Sequence, residues 1–270
     1  MNAGFHNVLF QYEPIAAAFA HERNLTSETL AAVIDIGGGT SDFSVIRLGG
    51  ARMARPDRRD DILANTGVRI GGNDFDKQLS LKTFMPEFGM GTEYGIDKIL
   101  PIPAAMFFDL SEWSQVNSIY TYKNMDLADM YLATAQCPEK YSRFAEVQKR
   151  QQGHRVLSTV EDTKIELTAR PHISVPLDFL SRAPEIRATR NEFEMGIEPL
   201  TNKILDSVRE CVKMSGVRPG DIGLVILTGG STEIPYIREN FCRLFPNARI
   251  SADDKLSSVG LGLAYDAMRR

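Results

Sequence analysis

The sequence predicts an α/β protein in which a mixed sheet packs against helices. Apolar, β-prone residues at 31–34 and 43–48 flank three consecutive glycines, which is typical of two strands joined by a turn. The continuous apolar run 224–228 is followed by a glycine turn and then by a helical pattern. The segment 189–214 has the length and periodicity of one long helix, with Pro199 inside it as a point of bending or division. Together these segments predict both strands and helices in one fold.

The composition is that of an ordinary globular protein. The chain has 270 residues, of which 43% are hydrophobic and 24% charged, so it can form one large domain or two smaller ones. A net charge of −4 does not favour nucleic acid or an anionic membrane as a partner. No apolar segment is long enough to span a bilayer, and no export signal is recognisable.

The cysteines and histidines form no recognisable site. The three cysteines are far apart in the sequence, which argues against a disulfide framework or a zinc site and favours a cytoplasmic location. The four histidines have no ligand spacing, and we expect them at the surface or at helix caps. These residues are Cys137, Cys211, Cys242, His6, His21, His154 and His172.

The glycine turn at 37–39 is the strongest chemical motif in the chain. Three glycines without side chains can direct their backbone amides toward one anion. Asp35 and Asp42 stand at the two ends of this turn, and paired carboxylates suit a hydrated Mg²⁺ ion bound to phosphate. A P-loop or dinucleotide motif would continue into a helix, whereas strand residues follow here. A plain glycine hairpin is the alternative interpretation.

Three other segments have a simpler expected role. The charged residues of 51–61 have mixed signs, which favours a solvated hairpin tip over an anion site. The segment 98–150 is rich in aromatic residues, and we expect a small core there rather than a partner surface. Glu161 and Lys164 lie three residues apart on a predicted helix, where an ordinary surface ion pair is the alternative to a binding role.

Five motifs occur in an order that resembles the nucleotide-binding domain of the seventy-kilodalton heat-shock chaperones. They are Glu-Pro-x-Ala-Ala-Ala (13–18), Asp-x-Gly-Gly-Gly-Thr-x-Asp (35–42), Ile-Gly-Gly-Asn-Asp-Phe-Asp (70–76), Glu-x-x-Lys (161–164) and Thr-Gly-Gly-Ser-Thr-x-Ile-Pro (228–235). The resemblance covers almost the whole chain and is greatest to the YegD-type bacterial chaperone-like proteins. It implies an actin-like ATPase (ribonuclease H-like) lobe that binds ATP or ADP with Mg²⁺.

The resemblance also implies roles for the phosphate side of the site. Asp35 and Asp42 would hold the hydrated magnesium, and Glu13 would order the attacking water. The residues implied to surround the phosphates, or to let the backbone approach the nucleotide, are Gly37, Gly38, Gly39, Thr40, Gly71 and Gly72.

On the adenosine side, the resemblance implies contacts from helical and turn residues. Ile165 and Glu233 stand where arginines commonly enclose the adenine in this family. The residues implied to face the ribose, the adenine or the adenosine side are Glu161, Lys164, Thr168, Gly229, Gly230, Ser231 and Asp254.

The resemblance implies a discontinuous domain organisation. We expect 1–70 with 186–270 to form the base of the lobe, and 71–185 to form an inserted α+β cap with an extra segment at about 98–150. Family members fold as two lobes around the nucleotide, and the phosphate hairpin and catalytic lysine of the first lobe are not found in this sequence. The chain is therefore expected to be a fragment covering the second lobe, with the first lobe as its missing partner.

Three functions remain open from the sequence. The first is the ATPase module of a chaperone-like protein, which acts with clients or co-chaperones and hydrolyses ATP only with its first lobe. The second is a nucleotide-sensing or scaffolding module without useful catalysis, and the third is a small-molecule kinase of the same superfamily.

Overall fold

The computed structural model describes residues 8, 10–55, 58–181, 184–251 and 258–269. The strands are β1 (Thr29–Ile36), β2 (Ser41–Leu48), β3 (Ile62–Val68), β4 (Glu93–Tyr94), β5 (Leu100–Pro101), β6 (His172–Pro176), β7 (Glu185–Thr189), β8 (Leu224–Thr228) and β9 (Arg249–Ser251). The α-helices are α1 (Glu13–Glu22), α2 (Gly72–Leu79), α3 (Ala105–Leu110), α4 (Tyr122–Ala133), α5 (Pro138–Lys149), α6 (Gly153–Ala169), α7 (Arg190–Met214), α8 (Pro235–Leu244) and α9 (Ser258–Arg269).

The chain divides into two compact units. The first comprises Met1–Gly72 with Thr201–Arg270, and the second comprises Asn73–Leu200. The long helix predicted at 189–214 is confirmed as α7, which continues through Pro199 and contributes residues to both units. Within the described ranges, no helix combines the length and apolar character needed to cross a membrane.

A five-stranded sheet forms the centre of the first unit, in the order β3-β2-β1-β8-β9. The turn between β1 and β2 is short, so these strands pair antiparallel, as do β2 and β3. In contrast, β8 and β9 are reached by long crossovers and run parallel to β1. The predicted α/β fold with a mixed sheet and helices is confirmed.

Apolar residues of α1 cover one face of this sheet. Ile15 and Phe19 are buried against residues that include Val33 of β1 and Ile46 of β2. The helix α9 packs against α1, and its buried Gly262 lies directly on the backbone of Ala16. Helix α1 thus packs between the sheet and α9. His21, near the end of α1, is buried, and its Nδ1 lies 3.2 Å from the Ser251 hydroxyl. A surface position for this histidine is therefore wrong, although it does lie in the last turn of α1, where its carbonyl accepts the C-cap amide of Arg23.

The charged segment after β2 is also not a solvated hairpin tip. It forms two short 3₁₀ helices, and Arg58 turns inward onto Glu22 and Asp61, both of which are buried. The Arg58 guanidinium donates to both Glu22 carboxylate oxygens, at 2.7 and 3.0 Å, and also to Asp61. Arg52 connects Asp61 to Glu28. The mixed charges of this segment predict a solvated loop, but in the structure they form a buried ion-pair network.

The second unit contains the small hairpins β4–β5 and β6–β7 together with α2 to α6. The predicted aromatic core of 98–150 is confirmed, because Phe107, Tyr141 and Phe144 are fully buried. Tyr141 stacks on Phe144 with ring centroids 5.6 Å apart, and Phe107 meets Tyr141 edge-on. Burial raises the pKa of the Tyr141 phenol, and its hydroxyl has no hydrogen-bond partner among the described residues.

Replacing Tyr141 by phenylalanine is expected to stabilise the protein. The change Tyr141→Phe removes a buried hydroxyl that makes no hydrogen bond, so the free energy of unfolding should rise by about 1 kcal/mol. The control Tyr120→Phe removes a hydroxyl that accepts a hydrogen bond from the Gly153 amide at 2.9 Å, and it should lower that energy by about 1 kcal/mol. Urea denaturation measures both, and a loss of stability in Tyr141→Phe would contradict the prediction.

Candidate functional site

The predicted strand–turn–strand motif is present at one edge of the first unit's sheet. Asp35 and Asp42 are directly paired across β1 and β2, and Ile36 pairs with Ser41. The Gly37 amide donates to the Thr40 carbonyl at 2.9 Å, which closes the turn. Gly38, Gly39 and Thr40 are exposed, and a Cβ atom on Gly39 would meet nothing within 4 Å. The tip of the turn therefore has open space in front of its backbone.

The second glycine motif packs against the first. The Gly72 amide donates to the Gly37 carbonyl at 2.9 Å, and both Gly71 and Gly72 are buried. A Cβ atom on Gly71 would lie 2.6 Å from the carbonyl carbon and oxygen of Gly38. Because no side chain fits there, glycine is required for the start of α2 to support the turn.

The end of β8 reaches the same edge of the sheet. Thr228 is the parallel partner of Asp35, so the carboxyl ends of β1 and β8 lie side by side. Gly229 follows with φ = +79°, and a Cβ atom there would lie 2.6 Å from the Ile36 carbonyl carbon. A 3₁₀ turn over Gly230–Glu233 buries Ser231 and leads into α8. Carboxyl ends of parallel strands are the usual place for ligands in open α/β sheets.

Three carboxylates lie at this edge. Burial raises the pKa of Asp35, the Thr228 hydroxyl opposes this effect by a hydrogen bond, and the charges of Glu13 and Asp42 raise the pKa further. Glu13 and Asp42 are exposed, and Thr40 Oγ1 donates to Asp42 Oδ2 at 3.3 Å. The open turn is thus bordered by negative charge, which suits a cation more than a bare anion.

Comparison with known protein families shows which family the chain belongs to. The model of the Hsp70 protein family matches residues 130–267, which is just over half of the chain. The chain belongs to the Hsp70 family. The model of the MreB/Mbl protein matches residues 1–85, which places this Hsp70 chain in the wider actin-like ATPase superfamily.

Several bacterial chaperones are similar to this Hsp70 chain over nearly all of its length. The chaperone protein DnaK of Trichormus variabilis is 25% identical over 275 residues, covering 98% of this chain and 31% of DnaK. The chaperone protein HscA homologues of Bordetella pertussis and Histophilus somni are 25% and 27% identical over 266 residues, covering 98% of this chain and 33% and 32% of theirs. The chain therefore spans about a third of the length of the curated relatives it matches.

The residues at the turn of this Hsp70 chain fit a hydrated magnesium ion. Asp35 and Asp42 present two carboxylates in direct register, and the surrounding negative charge favours a cation. No cluster of three or more His, Cys, Asp or Glu side chains within the described part of the chain is arranged as a metal site. Magnesium commonly keeps several waters and binds one or two carboxylates, so two are sufficient.

The predicted ribose and adenine residues lie on α6 in the second unit. Glu161 is exposed, and the Thr168 hydroxyl donates to the Ile165 carbonyl at 2.6 Å. Lys164 is buried and donates to Asp76 Oδ2 at 2.8 Å, so its ion pair is with α2 and not with Glu161. Burial raises the pKa of Asp76, which the Lys164 charge opposes. Their nucleotide contacts stay predictions.

One predicted site residue lies outside the described part of the chain, and two residues at the site were not predicted. Asp254 falls outside the described residues, so its predicted place near the adenine stays a prediction. Sequence reasoning missed Thr228 as the partner of Asp35 and Asp76 as the partner of Lys164. Thr228 stands inside the Thr-Gly-Gly-Ser-Thr motif and could have been found, because a hydroxyl at the end of a buried strand is a natural hydrogen-bond donor.

Proposed function

We propose that this chain is the second lobe of the ATP-binding domain of a chaperone-like protein. The observation that carries the proposal is that three features lie together at one edge of the sheet. They are the glycine turn with open space in front of it, the paired Asp35 and Asp42, and the turn after β8. Membership of the Hsp70 family supports the same function. Hydrolysis would then require the first lobe, which supplies the remaining phosphate contacts.

The proposed chemistry is attack of water on the γ-phosphate of ATP. The amides of the exposed residues Gly38, Gly39 and Thr40 would bind the β- and γ-phosphate oxygens, while the Gly37 amide closes the turn by donating to the Thr40 carbonyl. Asp35 and Asp42 would hold the hydrated magnesium ion. That ion would supply positive charge against the charge of the phosphates, since phosphoryl transfer depends mainly on positioning and electrostatics. Glu13, exposed at the first turn of α1, would accept a hydrogen bond from the attacking water.

The other implied contacts form the adenosine side of this proposal. The turn at Gly229, Gly230 and Ser231 lies at the carboxyl end of β8, a position that suits a polar ribose or a phosphate. The roles of Glu161, Lys164 and Thr168 rest on the resemblance alone. Lys164 would have to serve the nucleotide while keeping Asp76 as its partner.

The wider parts of the proposal follow from the family. We assign the base of the lobe to 1–70 with 186–270 and the inserted cap to 71–185, and we expect the whole protein to convert its nucleotide state into a rotation of lobes. Clients or co-chaperones, a cytoplasmic location and a particular likeness to the YegD-type proteins are part of the same proposal.

Nucleotide binding by this chain tests the proposal. Asp35→Asn should weaken the binding of Mg-ADP at least tenfold, about 1.4 kcal/mol, because it removes a charge that would hold the ion. The control Asp221→Asn changes an exposed acid that pairs with Arg218 in a different turn, and binding should not change. Isothermal titration calorimetry measures both. Absence of Mg-ADP binding by the unmodified chain contradicts the proposal, and rapid ATP hydrolysis by the chain alone contradicts the need for a first lobe.

A nucleotide-sensing module is the second candidate. The observation that favours it is the exposed side chains of Ile165 and Glu233, where the family commonly places arginines around the adenine. Turnover of ATP by the full-length parent and by its Asp35→Asn variant separates the two functions. If both proteins bind nucleotide and neither hydrolyses it, the sensing function is supported and the ATPase is not.

A further inference from the structure

Four strands place one residue each in a single row across the site. The register pairs Thr228 of β8 with Asp35 of β1, Asp35 with Asp42 of β2, and Asp42 with Gly67 of β3. Residues directly opposite each other on paired strands project from the same face of a sheet. The two carboxylates therefore lie side by side, with a hydroxyl beyond one of them and a glycine beyond the other.

The carboxylate of Asp42 occupies the space that a side chain at position 67 would need. A Cβ atom on Gly67 would lie 2.8 Å from Asp42 Oδ1 and 3.7 Å from Asp42 Cγ. Opposite Cβ atoms on antiparallel strands are about 4.5–5.5 Å apart, so an oxygen this close shows that Asp42 leans toward β3. It leans away from Asp35, with which it shares a like charge.

The backbone of β3 does not require a glycine at this position. Gly67 is not among the residues with positive φ, so any L-amino acid could adopt its conformation. Glycine in the interior of a strand is also unfavourable, by about 0.5–1 kcal/mol relative to alanine. The feature that excludes a side chain is the Asp42 carboxylate, together with the Ser41 carbonyl oxygen at 3.2 Å.

We propose that Gly67 is a positioning residue that sets the separation of the Asp35 and Asp42 carboxylates. Thr228 is the strand partner of Asp35 on one side of the row, and Gly67 gives Asp42 room on the other. Thr40 fixes the second oxygen of Asp42 through its hydroxyl at 3.3 Å. The space between the two acids would hold the hydrated cation, and in this respect the inference rests on the proposed function.

The variant Gly67→Ala tests this inference. An added methyl group meets the movable end of Asp42 at 2.8 Å and the Ser41 carbonyl oxygen at 3.2 Å, a contact that a shift of a few tenths of an ångström relieves, so the fold should be kept. Affinity for ADP in EDTA should stay within twofold, whereas the gain in affinity on adding Mg²⁺ should fall at least tenfold. The control Gly260→Ala adds the same methyl where nothing lies within 4 Å, and the Mg²⁺-dependent gain should not change.

A double-variant cycle shows whether the effect passes through Asp42. In an Asp42→Ala background, Gly67→Ala should cause no further loss of Mg²⁺-dependent affinity, because the methyl group has no carboxylate to displace. A further loss in that background, or an equal loss in EDTA, would overturn the inference.

A crystal structure of Gly67→Ala gives a readout that needs no nucleotide. The Asp42 carboxylate should move until its nearest oxygen is at least 3.4 Å from the new methyl group, which is an ordinary van der Waals distance. An Asp42 side chain that stays in place would overturn the inference even if the chain binds Mg-ADP. Absence of Mg-ADP binding by the unmodified chain, with the carboxylate displaced in the variant, counts against the proposed function alone.

Discussion

The variant Arg58→Met is expected to lower the free energy of unfolding by about 3–5 kcal/mol, because it breaks a buried ion-pair network. Glu22 has no exposed side-chain surface and Asp61 has 2%. Arg58 donates to both of these acids and also lies over the Phe19 ring, 5.0 Å from its centroid. Without the guanidinium, two negative charges stay buried with much less compensation.

The control for this prediction is Arg209→Met. Arg209 pairs with Asp206 at 2.8 Å in the same kind of i, i+3 arrangement, but both side chains are more than half exposed. Exposed ion pairs contribute little, so the loss should be below about 1 kcal/mol. Chemical denaturation of the two variants measures the difference. Equal losses would show that burial of the Arg58 network does not determine its energy.

The variant Gly262→Ala is expected to destabilise the protein by about 1–3 kcal/mol, although alanine is the better helix former. The buried Gly262 is where α9 meets α1, and a Cβ atom there would lie 2.5 Å from the carbonyl carbon of Ala16 and still closer to its oxygen. Backbone atoms of a packed helix cannot rotate away as a side chain can. The two helices would have to separate, which exposes apolar surface of α1.

Gly260 in the same helix is the matched control. Residues that are two positions apart on a helix lie on nearly opposite faces. A Cβ atom on the exposed Gly260 would meet nothing within 4 Å. Gly260→Ala should therefore raise the free energy of unfolding by up to about 1 kcal/mol through helix propensity alone. Thermal denaturation measures both variants. Stabilisation by Gly262→Ala would mean that α9 does not pack closely on α1.

The turns and strands near the site could be predicted because their signals are local. Consecutive glycines between β-prone runs predict a hairpin, and Asp35 and Asp42 then face each other through its register. The apolar run of β8 followed by Gly229 and Gly230 is equally local. In these segments the residue types alone limit the backbone to few conformations.

The ion pairs could not be predicted because they depend on distant partners. Lys164 is 88 residues from Asp76, so no local signal favours that acid over Glu161 on the same helix. Arg58 pairs with Glu22, which is 36 residues away in the sequence. The segment 51–61 that contains Arg58 has the composition of an exposed loop. The close contact of Gly67 with Asp42 likewise becomes visible only through strand pairing.

The position of β8 between β1 and β9 has a consequence for biosynthesis. On the ribosome, β1, β2 and β3 emerge early and can pair at once, but one edge of β1 then stays open until the whole second unit has been made. An unpaired strand edge with buried-type residues is prone to associate with other chains. We therefore expect nascent chains that end before residue 224 to aggregate or to recruit holdase factors, and this tendency to disappear once β8 and β9 have been added.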